Sequence, residues 1–394
     1  MASPSALGTL ETVVTNALTL ISQLEATVTD LQKNPSSPSE STTSTPPPQE
    51  TTTTTPLDAL SLAHDSATLI KAHSTKISLL IINAPFTPTA ITKVLRELLA
   101  GPVPALASAV QLCQPSRYTH TISSDLAWRC ARVLKELSEL LSKIPKDGKI
   151  LTDEKKNAGA GAAAGKGSIA TTGVLWAACD EVMGFAKRGF AGNLVHKVEQ
   201  FRDTLKDVME ELKEWGEEED EDEDDDEEDE EDEDDDDVAE VTEGVKNAQI
   251  SDVDNTQAML DDWMNSSQQH IPRDDPDKIR ERLESCLRKL RLTTLLYQAT
   301  VKRRLKLLSQ QPPTDATIPG RLDEVMTILK RMPDRFSNVA LAFYDLDPAE
   351  IDRLVDQCFF DAFAVSELLF LRWDGQKDEF SDWALKFQVE IKKG

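Results

Sequence analysis

Apolar residues recur every three or four positions through most of the chain, and this spacing is typical of amphipathic α-helices. The first 33 residues show it clearly, with one side of a helix formed by Leu7, Leu10, Val14, Leu18, Ile21, Leu24, Val28 and Leu31. The same pattern predicts further helices at 57–83, 89–99, 122–144, 169–187, 193–215, 256–266, 277–309, 321–332, 348–372 and 376–392.

Three segments interrupt this periodicity. Residues 34–56 are mostly Ser, Thr and Pro with no apolar pattern, and residues 157–168 are mostly Gly and Ala, so both are predicted to be flexible connectors. Residues 217–237 are 21 consecutive Asp and Glu. Such a run repels itself and has no apolar atoms to bury, so we expect it to stay solvated and extended.

These segments divide an all-α chain into two predicted helical bundles. An N-terminal helix at 1–33 and a helical region at 57–215 form the first bundle, a disordered acidic linker occupies 216–255, and a second bundle occupies 256–394. The formal charge of the whole chain is −27. Without the 21 charges of the acidic run the remainder carries −6, so the bundles themselves have ordinary charge.

The cysteines and the N-terminal sequence point to a soluble protein inside the cell. The five cysteines are far apart and form no CxxC pair, a pattern that fits reduced thiols. The first residues lack the basic and apolar regions of a secretory signal. The longest apolar stretch, at 77–86, is much shorter than the roughly 20 residues that a membrane span needs.

Motifs of catalytic or metal sites are missing from the sequence. The five histidines have no Cys or acidic neighbours at ligand spacing, and no HExxH or GxSxG motif occurs. The pair Gly165-Lys166 resembles a phosphate loop only superficially, because Ala160 and Gly167 stand where that motif needs Gly and Ser or Thr. We therefore expect no enzyme, no cofactor and no metal.

The helix predicted at 277–309 combines an apolar seam with many cations. Residues of the seam fall within an arc of about 80° on a helical wheel: Ile279, Leu283, Leu287, Leu290, Thr294, Tyr297, Val301, Leu305 and Leu308. Between 278 and 306 lie ten Lys and Arg against two Glu. Three interpretations stay open: a solvated face, an internal partner for the acidic run, and a surface that binds another molecule.

Candidate partner-binding residues come from this helix: Arg288, Lys289, Arg291, Lys302, Arg303, Arg304, Leu305 and Leu307. Arg303, Leu305 and Leu307 also spell an RxLxL pattern that resembles a cyclin-docking peptide, although Leu305 lies on the seam. Direct nucleic-acid binding is not expected, because the acidic run would compete for the cations and repel phosphate. Deleting 217–237 should therefore raise nonspecific nucleic-acid binding at low salt.

Four dipeptides would suit a proline-directed kinase: Ser3-Pro4, Ser37-Pro38, Thr45-Pro46 and Thr55-Pro56. Such dipeptides also arise by chance in a segment rich in Ser, Thr and Pro. A phosphate at one of them could be bound by arginine side chains.

Three stretches of the chain resemble the cyclin-D1-binding protein 1 family, also described as Grap2 and cyclin-D-interacting protein. Residues 173–182, GVLWAACDEV, carry the first match through Trp176 and Cys179. Residues 285–292, SCLRKLRL with Cys286, resemble the family's basic helix. Residues 338–348, with Leu341 and Tyr344, resemble a third family segment, in which Asp345-Leu346-Asp347 replaces an expected Tyr-Pro-Pro.

The resemblance implies two helical bundles like those of talin and vinculin and a non-enzymatic regulator of the cell cycle. Its partners would be cyclin D or helix-loop-helix transcription factors, in the nucleus and the cytoplasm. Two alternatives stay open. A long polyanion is typical of proteins that bind histones or other basic proteins, and talin-like bundles suggest binding to actin.

Overall fold

The computed structural model describes residues 4–34, 58–157, 167–217 and 270–393. Helices, short turns and one 3₁₀ turn make up these ranges, which contain no β-strand, so the predicted all-α fold is confirmed. The helices are α1 Pro4–Lys33, α2 Ala59–Ile82, α3 Pro88–Ala100, α4 Pro102–Leu112, α5 Pro115–Tyr118, α6 His120–Ser142, α7 Asp153–Asn157, α8 Ser168–Glu217, α9 Ile279–Arg303, α10 Thr317–Tyr344, α11 Pro348–Leu368 and α12 Glu379–Ile391.

Several predictions fall on residues outside these ranges. They are the Ser/Thr/Pro segment from 35 onward, most of the Gly/Ala connector, the acidic linker from 218 onward and the helix at 256–266. Among the described helices none is long and apolar enough to span a bilayer.

The chain divides into two compact units, each built from separate segments. Unit 1 comprises Met1–Glu199, Thr300–Thr327 and Leu371–Gln376. Unit 2 comprises Gln200–Ala299, Ile328–Phe370 and Lys377–Gly394. Contacts thus place 300–327 with the N-terminal helices, whereas the sequence analysis grouped these residues with the C-terminal bundle.

Unit 1 is a bundle in which α1, α2, α3, α4 and α6 pack against one another. The periodic positions of the sequence form its core; Leu10, Ile21, Ile77 and Leu126 are at most 2% exposed. Tyr118 ties the start of α2 to this core. Its hydroxyl donates to Asp58 Oδ1 at 2.8 Å and accepts from the Ala59 N–H at 3.1 Å.

A kink at Gly189 divides α8 into the two helices that the sequence predicts. Gly189 has φ 66°, a left-handed conformation that favours glycine. Beyond it, the Phe190 N–H donates to the Gln310 carbonyl at 2.7 Å. The Asn193 amide donates to the Phe185 and Gly189 carbonyls, each at 2.8 Å, so carbonyls that the kink releases from the helix are bonded again.

The helix predicted to end at Met332 continues to Tyr344, with Pro333 inside it. Proline has no N–H to donate to the carbonyl four residues earlier, here Leu329. The Tyr297 hydroxyl supplies the missing bond, donating to the Leu329 carbonyl at 2.6 Å. The prediction of a stop was wrong because a side chain from another helix satisfies the carbonyl that Pro333 leaves free.

The predicted helix at 277–309 is shorter than expected. Asp275 caps its start by accepting from the N–H groups of Ile279 and Arg280, at 2.6 and 2.9 Å. The α-helix ends at Arg303, and Leu305 belongs to a 3₁₀ turn. The apolar seam is largely buried as predicted, although its last two positions lie beyond the α-helix.

The apolar pattern did not predict α4, α5 or α7. Gly101-Pro102 follows the helix predicted at 89–99 and is typical of a helix stop, but Pro102 is also the first residue of α4, a position where proline is well tolerated. A helix end and a helix start share this dipeptide, so a new helix begins where the previous one stops.

Candidate interaction surface

Four of the large apolar side chains that unit 1 exposes lie on α2, α6 and α8. Leu79 is 52% exposed, Trp128 47%, Ile169 49% and Trp176 37%. We call these four residues the tryptophan face. Exposed tryptophan is informative because its large ring is normally well buried, and tryptophan is enriched where proteins bind one another.

Polar contacts place the three helices of the tryptophan face side by side, with α8 in the middle. On one side, Lys71 Nζ lies 2.7 Å from both carboxylate oxygens of Asp180, and Thr172 Oγ1 donates to Ser78 Oγ at 3.0 Å. Leu79 directly follows Ser78, and Ile169 and Trp176 lie about one turn on either side of Thr172. These three apolar side chains are therefore close to the α2–α8 contact.

On the other side of α8, Glu181 forms an ion pair with α6. Arg132 donates to both oxygens of Glu181, at 2.7 and 2.8 Å. The guanidinium carbons of Arg129 and Arg132 lie 5.6 and 5.9 Å from the centroid of the Trp128 ring. The cations thus support the exposed ring by cation–π contacts, and the tryptophan face is an apolar patch with a charged rim.

The residues of α8 beside Trp176 belong to the core of unit 1. Leu175, Cys179 and Val182 are fully buried, and burial raises the pKa of the Cys179 thiol to about 12. The other four cysteines are also buried and free. A buried thiol with a raised pKa is a poor nucleophile, so Cys179 serves packing while Trp176 on the same helix faces solvent.

The described residues contain no cluster of His, Cys, Asp or Glu that could hold a metal ion.

The predicted cationic candidates divide into exposed and buried residues. Arg288, Arg291, Lys302, Arg303 and Leu307 are exposed. Lys289 is 9% exposed with its ammonium 4.3 Å from the Phe359 ring centroid, and Arg304 and Leu305 are fully buried. As placed here, the last three cannot contact a partner directly, because burial against the chain's own residues covers them. That the exposed five bind a partner stays a prediction.

Internal contacts also occupy Arg282 and the exposed candidate Arg288. Arg282 forms a two-pronged ion pair with Asp352, at 2.9 and 3.0 Å, and Arg288 donates to the Lys393 carbonyl at 2.9 Å. The RxLxL pattern is divided likewise, since Leu307 is 54% exposed while Leu305 is buried. The docking interpretation would require this turn to detach.

The remaining residues of the family resemblance have different surroundings. Cys286 is buried, and burial raises the pKa of its thiol to about 12. Leu341 is 57% exposed. Tyr344 is buried; its hydroxyl donates to Glu211 Oε1 at 2.8 Å, and its ring packs edge-on against Trp215 with centroids 5.4 Å apart.

An exposed apolar face with a charged rim on a helical bundle is typical of surfaces that bind other proteins. Residues 63–218 match the family model described as Grap2 and cyclin-D-interacting, N-terminal. This part of the chain is similar to the N-terminal domain of that family, and the resemblance predicted from Trp176 and Cys179 is confirmed. No curated protein matches the chain.

The matched residues include the whole tryptophan face. The stretches around Cys286 and around Leu341 and Tyr344 lie beyond residue 218, so their resemblance to the family stays a prediction. The family resemblance indicated Trp176, but no pattern in the sequence predicted a role for Trp128. Trp128 lies nearly opposite the apolar stripe of α6, and a large ring off the stripe is the signal that could have indicated it.

Proposed function

We propose that this protein is a non-enzymatic regulator of cell-cycle progression that binds a D-type cyclin through the tryptophan face. One observation carries the proposal: a region similar to a family named for cyclin D interaction exposes two tryptophans on adjacent helices. Helix-loop-helix transcription factors are the alternative partner on the same surface. A regulator of this kind would act in the nucleus and the cytoplasm, and it would need no cofactor.

The face has the composition of a binding hot spot. Tryptophan and arginine are enriched among the residues that dominate binding energy, and Trp128 lies beside Arg129 and Arg132. Because Arg132 is already fixed by Glu181, little side-chain freedom would be lost when a partner covers this region.

Capture of a purified D-type cyclin by the full-length chain tests the proposal. The variant W128A/W176A should weaken binding at least about tenfold, since loss of a hot-spot residue costs about 2 kcal/mol or more. A matched control is L385A/V389A, which removes two exposed apolar side chains of α12 that are 51% and 59% exposed. Equal binding by wild type, W128A/W176A and the control would refute the tryptophan face as the cyclin site.

A second candidate function rests on the acidic run at 217–237. A polyanion of this length attracts basic proteins without needing a folded surface, so a chaperone of histones or other basic proteins is the rival. Deleting 217–237 from the full chain separates the two functions. Histone capture lost on deletion would support the chaperone, whereas cyclin capture that survives deletion and fails in W128A/W176A would support the regulator.

A further inference from the structure

Unit 1 has a cleft of about 320 Å³ between α1 and α3, and no residue of the tryptophan face lines it. Its lining includes Thr9 from α1 and Thr89, Thr92, Lys93 and Arg96 from α3. This volume is at the lower end of the range for small-ligand sites, about 300–1,000 Å³. The cleft is therefore lined by hydroxyls and charges and has room for a small polar group.

The charges in the cleft favour an anion. Lys93 and Arg96 are three residues apart on α3, so their side chains lie on the same face of the helix. Neither side chain forms an ion pair with a described residue. The one acidic residue of the lining, Glu97, has its Oε2 3.9 Å from His73 Nδ1. Two cations against one carboxylate leave the cleft positive.

The start of α3 adds a free N–H group to the cleft. Thr87, the residue before the helix, makes no side-chain cap. Pro88 has no N–H to donate. The N–H groups of Ala90 and Ile91 donate to the Thr87 carbonyl, at 3.1 and 3.2 Å, so the Thr89 N–H is left without an acceptor among the described residues. A free N–H in a first helical turn and the helix dipole both favour a bound anion.

A buried hydroxyl without a partner is an independent sign of a ligand. Thr92 is 6% exposed, and its Oγ1 has no hydrogen-bond partner among the described residues. Other helical threonines, such as Thr9 and Thr75, donate to the carbonyl four residues earlier. Because an unpaired buried polar group costs free energy, each such group in a folded protein needs an explanation. An acceptor oxygen of a ligand in the cleft would supply the partner that Thr92 lacks.

We propose that this cleft binds a phosphate monoester, with Lys93 and Arg96 as charged donors and the Thr92 hydroxyl and the Thr89 N–H as neutral donors. A phosphate monoester carries a charge of about −1.5 to −2 at pH 7 and has three acceptor oxygens. One group can therefore neutralise both cations and accept from both neutral donors. A carboxylate, with one charge and two oxygens, would leave a cation unpaired.

The ester is either a small phosphorylated molecule or a phosphorylated side chain of a partner protein, since both present the same group. Its binding is separate from the proposed cyclin site, because the cleft and the tryptophan face share no residue.

Isothermal titration calorimetry with the full-length chain tests the site and distinguishes the two sources. The probes are N-acetyl-O-phosphoserine amide and a short glycine- and alanine-based peptide with one central phosphoserine, each compared with its unphosphorylated form. Both phosphorylated probes should bind and neither unphosphorylated probe should. Equal affinity of the two phosphorylated probes would indicate a small molecule as the source, whereas a peptide that binds at least about tenfold tighter would indicate a phosphorylated partner.

Substitutions in α3 locate the binding. K93Q/R96Q should weaken binding of both phosphorylated probes at least about tenfold, and T92V at least about threefold. The matched control K135Q/K187Q removes two exposed lysines elsewhere in unit 1 and changes the net charge equally, so it should bind like wild type. No binding of either phosphorylated probe by wild type, or equal binding by wild type and K93Q/R96Q, would overturn the proposal.

The melting temperature of the ligand-free protein gives a second measurement. Valine has nearly the shape of threonine without its hydroxyl, so T92V should raise the melting temperature by removing an unpaired polar group, while it weakens binding. K93Q/R96Q should melt like wild type, because both side chains are exposed. A lower melting temperature of T92V would show that the hydroxyl has a structural partner, and it would overturn the role of Thr92 as a donor to the ligand.

Discussion

Replacing Tyr297 by phenylalanine tests how a proline is accommodated inside α10. Tyr297 and Leu329 are both fully buried, and the tyrosine hydroxyl donates to the Leu329 carbonyl at 2.6 Å. Phenylalanine keeps the ring and removes only the donor. The carbonyl would then lie buried without the N–H that Pro333 lacks, so Y297F should lower the free energy of unfolding by about 1–3 kcal/mol.

The P333A background isolates this effect. Alanine restores the N–H that a helix normally directs to the carbonyl four residues earlier, here Leu329. The Tyr297 hydroxyl then becomes redundant, so Y297F should cost at least about 1 kcal/mol less in P333A than in wild type. Urea denaturation followed by circular dichroism measures the free energy of unfolding of wild type, Y297F, P333A and Y297F/P333A. The slope m should stay the same if only stability changes.

Tyr344→Phe is the matched control for this cycle. Tyr344 also donates a hydroxyl hydrogen bond in unit 2, but to Glu211 and eleven residues away from Pro333. Its effect should add to that of P333A within about 0.5 kcal/mol, as for distant sites. The explanation of the proline would be refuted if Y297F cost the same in both backgrounds.

Two more predictions concern unit 1. Burial and neighbouring cations lower the pKa of His73 and His196 below 6.5, so the unfolded chain binds protons more readily than the folded chain. The free energy of unfolding should therefore fall as pH drops from about 7 to 5.5. H73Q or H196Q should each reduce this fall in a pH series of denaturation curves. G189A should lower the melting temperature, because φ 66° costs a residue with a side chain about 1–2 kcal/mol and the new Cβ would lie 2.9 Å from the Gln310 carbonyl oxygen. The control G8A, whose Cβ has open space within α1, should be neutral or stabilising. Equal effects of the two substitutions would contradict this account.

Local pattern predicted most helices of the fold, because each needs only an apolar stripe and a suitable start and stop. The seam through Leu290 and Tyr297 is buried as its spacing indicates. The apolar pattern gave wrong predictions where residues distant in sequence determine the local structure. Proline predicts a stop at 333, and only the position of Tyr297 in space reverses that prediction.

The candidate surface shows the same limit. Arg304 is predicted to be a partner-binding cation, yet it is fully buried. Its carbonyl accepts from the Trp373 indole N–H at 2.9 Å, a contact across 69 residues of sequence. Only one of the two tryptophans of the tryptophan face was indicated by the sequence. Trp176 was noticed through family resemblance, whereas the exposure of Trp128 depends on how α6 packs.

The way the chain alternates between the two units bears on its biosynthesis. Unit 1 takes its last segment from Leu371–Gln376, and the carbonyl that receives the Phe190 N–H belongs to Gln310. While the ribosome is still translating the acidic run, the N-terminal helices have been made but lack these later pieces. Unit 1 can be completed only near the end of translation. A protein cut at residue 217 would lack the Gln310 carbonyl that accepts the Phe190 N–H beside the kink at Gly189.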